Sequence, residues 1–103
     1  MTQSLDEVNR QVVCLVQACL GALSNNVLSV ALLPSRKAPQ IRISIERDSP
    51  VDREEADDIV AEFYALHDND PEIGLDVVVE GSAPTIPEAP ARLIYLRHKS
   101  DET

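Results

Sequence analysis

The sequence predicts one α+β domain, with four strands in an antiparallel sheet, two helices packed on one face, and the order α-β-β-α-β-β. Three observations predict it. An apolar run over residues 12–23, broken only by Gln17, recurs at helical spacing. Residues 40–47 alternate strictly, with Ile41, Ile43 and Ile45 on one side and Arg42, Ser44 and Glu46 on the other. Asp48-Ser49-Pro50 then opens a second helical period, because a capping side chain precedes a proline at the first helical position. A chain of 103 residues is expected to be a single domain over residues 1–103. At that length roughly two thirds of the unfolded surface can be buried, enough for a core without staples.

The first helix is expected over residues 5–23. Ser4 and Glu7 have capping-box spacing, and Asp6 and Glu7 suit the positive end of the helix dipole. Leu5, Val8, Val12, Leu15, Val16, Cys19 and Leu23 form its main stripe, with Asn9, Arg10 and Gln11 facing water and the stop at Ser24-Asn25-Asn26. The second half is apolar nearly all round, since Val13, Cys14, Ala18, Leu20 and Ala22 lie off the stripe. A helix apolar on all sides is expected to be buried on all sides, under both the sheet and the second helix. On that reading Val16→Asp unfolds the chain. The competing reading makes the outer side a homodimer contact through Val13 and Leu20.

Residues 27–33 read as a central strand, near-continuous in apolarity and ended by Pro34. With residues 40–47 they form the most secure hairpin. The second helix is expected over residues 50–67, its apolar face made of Ala56, Ile59, Val60, Phe63 and Leu66 or His67. Pro71 ends it. Residues 74–80 alternate with Leu75, Val77 and Val79 inward. Residues 81–90 hold Pro84, Pro87 and Pro90 and read as an extended connection, longer than a hairpin turn. Residues 92–98 are the last strand. The order is that of a ferredoxin-like βαββαβ unit with its first strand moved to the end. On such a sheet Arg42, Ser44, Glu46, Asp76, Val78 and Glu80 line the uncovered face.

Composition excludes several function classes. Phe63, Tyr64 and Tyr95 are the only aromatics, which weakens any role that stacks bases or sugars. Three isolated glycines leave no phosphate-binding loop. His67 and His98 have no neighbouring ligands at metal-binding spacing, and residues 68–72 lack the glycine of a calcium loop, so no metal or cofactor is expected. The serines fall in caps and turns, so the expectation is a binding protein and not an enzyme. Cys14 and Cys19 lie about 500° of helical rotation apart and cannot bridge within a regular helix. They read as buried thiols in a reducing compartment. The apolar run is too short for a membrane span or signal peptide, so a cytoplasmic protein is expected.

Charge carries the functional expectation. Residues 46–80 hold thirteen acids against Arg47 and Arg53, a net of −11, while the remainder sums to +2 and the whole chain to −9. Such a balance discourages nucleic acid and anionic lipid and favours a cationic partner. Glu54, Asp58 and Glu62 repeat every fourth residue of the second helix, with Glu55 and Asp57 alongside. The reading is a cytosolic protein-binding module that neutralises a basic partner, most concretely an immunity protein covering the phosphate-binding groove of a cationic nuclease toxin. Glu54, Asp57, Asp58 and Glu62 would bind, with Asp68 and Asp70 at the helix end. Two other readings are a homodimeric secretion-type chaperone, and a small enzyme or ligand-binding domain on a ferredoxin-like sheet. A proline-rich lip with Ile86 as an anchor is a further candidate contact.

Overall fold

The computed structural model describes residues 5–34, 39–66, 73–81 and 91–97. Two helices and four strands follow in the order α1 (Leu5–Cys19), β1 (Val27–Leu33), β2 (Gln40–Ile45), α2 (Pro50–Leu66), β3 (Gly74–Val79) and β4 (Arg92–Leu96). The α+β class and the element order are as expected. Among the described residues no helix is long and apolar enough to cross a membrane. Ser4, His67, residues 68–72, residues 82–90 and His98 lie outside the described residues, and with them the calcium-like loop and the proline-rich lip.

The sheet is mixed, with strand order β3-β2-β1-β4. β1 and β2 form the expected antiparallel hairpin, from Val27 opposite Ile45 to Leu33 opposite Gln40. β4 pairs antiparallel with β1, but β3 pairs parallel with β2, from Gln40 beside Gly74 to Ile45 beside Val79. This corrects the all-antiparallel sheet and the permuted ferredoxin-like arrangement with it. The cause is α2: its 17 residues run about 25 Å back along the sheet, so the next strand starts where β2 started. β3 and β4 consequently run in the same direction at opposite edges, about 14 Å apart across three strand spacings. A tight turn cannot join them.

Both helices meet the Ile41, Ile43 and Ile45 side of the sheet, α1 toward β4 and α2 toward β2 and β3. Leu15, Val30, Leu32, Ile43 and Phe63 form the centre of the core. α1 stops at Cys19, four residues before the expected end. The Leu20 amide donates to the Gln17 carbonyl at 3.2 Å and the Ala22 amide to that of Cys19 at 3.0 Å. Between them Gly21 turns left-handed at φ +78°, which a residue without Cβ does at no steric cost.

Burial of α1 departs from the expectation in three places. Gln11 is buried, its Oε1 without a hydrogen-bond partner among the described residues. Leu5 is exposed. Val13, Val16 and Leu20 are 56 %, 42 % and 75 % exposed, so Val16 is not a core residue and the helix is not enclosed on all sides. α1 lies over an edge strand with α2 on one flank only, and among the described elements nothing stands on the other. At the far edge Val79 is likewise exposed, because β3 has a neighbour on one side alone.

The second face of the sheet is not wet at its centre. Ser29, Ala31 and Ser44 are buried there. They are small side chains set among longer ones in register: Arg42 pairs with Asp76 at 3.1 Å across β2 and β3, and the Ser44 hydroxyl donates to the Glu80 carboxylate. Its exposed large apolar positions are at the edge, on Leu93 and Leu96 of β4.

Candidate functional site

α2 is positioned by its own start. The Ser49 hydroxyl accepts the Asp52 amide at 3.2 Å, and the Ser49 carbonyl accepts the Arg53 amide at 3.0 Å. Ser49 is therefore the cap ahead of Pro50. Ala56, Ile59 and Phe63 face the core, and Asp52 shares their register and is buried with them.

The opposite arc carries the charge. Glu54, Asp57, Asp58 and Glu62 are all exposed and spread over about 140° of the helix surface. Among the described residues none of the four meets a cation. Arg53, the only base on α2, turns back to Asp48 at 2.7 Å and leaves the stripe unneutralised. Asp68 and Asp70, expected to extend the stripe, lie outside the described residues. From Glu54 to Glu62 the helix rises about 12 Å, with the four carboxylates at steps of about 4.5, 1.5 and 6 Å along its axis. One strand of a DNA duplex places a phosphate every ~3.4 Å.

Charge repeated at this spacing is costly to the helix. The pairs Glu54–Asp58 and Asp58–Glu62 each destabilise it by a few tenths of a kcal/mol.

A second polar cluster, absent from the sequence reading, is built on Asp52. Its carboxylate accepts the Ser24 hydroxyl at 2.7 Å and the Asn26 side-chain amide at 2.8 Å. Asn26 also donates to the Arg47 carbonyl at 2.7 Å and accepts the Arg47 amide at 3.0 Å. The cluster ties the α1–β1 connection to the β2–α2 corner. Burial pushes the Asp52 carboxyl up. The side chains of Ser24, Asn26 and Ser49 and the charge of Arg47 outweigh that and hold it below the usual carboxylate value. Every oxygen is satisfied from within, so its role is structural. The signal for it was present: Asp52 stands three residues after a capping serine and on the apolar register of α2.

Asp52→Ala is expected to cost about 2 kcal/mol, the loss of charge-assisted hydrogen bonds whose partners can reach water. Since the folded carboxyl is held below its unfolded value of about 3.9, that contribution is fully present above that value. It fades as pH falls through the folded pKa. Urea melts of both chains at neutral and acid pH should show the gap between them closing on acidification; a gap independent of pH would refute this role.

Near β4 an open apolar groove of about 250 Å³ is lined by Val16, Cys19, Leu20, Leu23, Ile94 and Tyr95. Cys14 and Cys19 are both free and buried. Burial pushes the Cys19 thiol up to about 11, which disfavours the nucleophilic thiolate. Among the described residues no group of three or more His, Cys, Asp or Glu side chains is placed to hold a metal ion. No protein-family model matches the chain, and no curated protein matches it either.

Proposed function

We propose that this chain is a protein-binding module that takes a cationic partner on the acidic face of α2. The observation that supports it most is the set of Glu54, Asp57, Asp58 and Glu62, exposed together on one helix face while the one nearby base pairs elsewhere. A rigid helix anchored by Phe63 and Ile59 holds these charges in a fixed row. Such a row raises the association rate with a basic surface and selects against acidic ones. Its average of about 4 Å of rise per charge is of the same order as the ~3.4 Å phosphate repeat of a nucleic-acid strand. The most concrete form of the proposal is therefore an immunity protein that occupies the phosphate-binding groove of a cationic nuclease toxin in the cytoplasm.

The test is affinity capture on the full chain from its native host's lysate at low and at high salt, read by mass spectrometry. A basic nuclease retained at low salt and released at high salt is the expected result, because exposed charge pairs are screened within about 10 Å at 0.1 M salt. Capture of only neutral or acidic proteins, insensitive to salt, would overturn the proposal.

A further inference from the structure

We draw no further inference here: the strongest candidate, the open apolar groove between the end of α1 and β4 with the exposed Val16 and Leu20 on its rim, carries nothing because nothing in the structure shows what covers it.

Discussion

Leu15→Asp is expected to abolish folding, while Val16→Asp, one residue on, is expected to leave a folded chain. Leu15 is 0 % exposed and packs in the same core as Val30, Ile43 and Phe63. Aspartate there loses the burial of a leucine, about 2 kcal/mol, and buries a carboxylate without a partner, several kcal/mol more. The sum reaches the 5–15 kcal/mol that holds an ordinary domain together. Val16 keeps 42 % of its surface in water and lines the open groove, so a carboxylate there stays hydrated and should cost about 1 kcal/mol or less. Circular dichroism melts decide it. Leu15→Asp should show no cooperative transition, and Val16→Asp one within a few degrees of the wild type. Equal loss in both would mean that α1 is enclosed all round after all.

The same pair of residues marks where the sequence stops being legible. Periodicity identifies α1 as a helix and shows that it has more apolar positions than one face needs. It does not say which arc is covered, because that depends on the neighbours. Here the sheet is four strands wide, and α2 packs on one flank of α1. Val16 and Leu15 are then separated by their place relative to α2 and β4, not by their chemistry. Gln11 fails for the same reason in the opposite sense, as a polar side chain on the covered arc.

Strand direction has a similar limit. The alternation of Leu75, Val77 and Val79 is the same for a parallel and an antiparallel neighbour. Only the return path of α2 makes β3 parallel to β2. The hairpin of β1 and β2 was legible because its two strands are close in sequence and one alternates strictly. At the candidate site, the acidic stripe was legible in full over the described residues, since four-residue spacing and exposure follow from one helix alone. Asp52 was legible only in part: its place on the apolar register of α2 could be read, but its partners Ser24 and Asn26 lie more than twenty residues away in the chain.

The fold thus keeps two surfaces apart. The apolar one lies at the β4 edge, and the acidic one on α2 toward the β3 edge. Neither change at one surface need disturb the other, so each can be tested by substitution in an otherwise intact chain.

Asp58→Lys with Glu62→Lys is the sharper of those tests for the acidic face. The two reversals move the formal net charge from −9 to −5 and break the row at its centre and end. Against a basic protein captured at low salt, each acid–base contact becomes a like-charge contact, and such contacts cost several kcal/mol across an interface. The dissociation constant should rise by about 10²–10³-fold, about 3–4 kcal/mol by the usual conversion. Stability should move the other way. Glu54 then faces a lysine four residues on, so repulsion of a few tenths of a kcal/mol becomes attraction of similar size. Titration calorimetry and thermal melts on the same two proteins measure both changes. Weaker binding with an equal or higher melting point is the signature of charge held against the interest of the fold. Unchanged affinity would remove α2 as the binding face. A clear drop in melting point would mean that the carboxylates support the structure and that their exposure is not a sign of function.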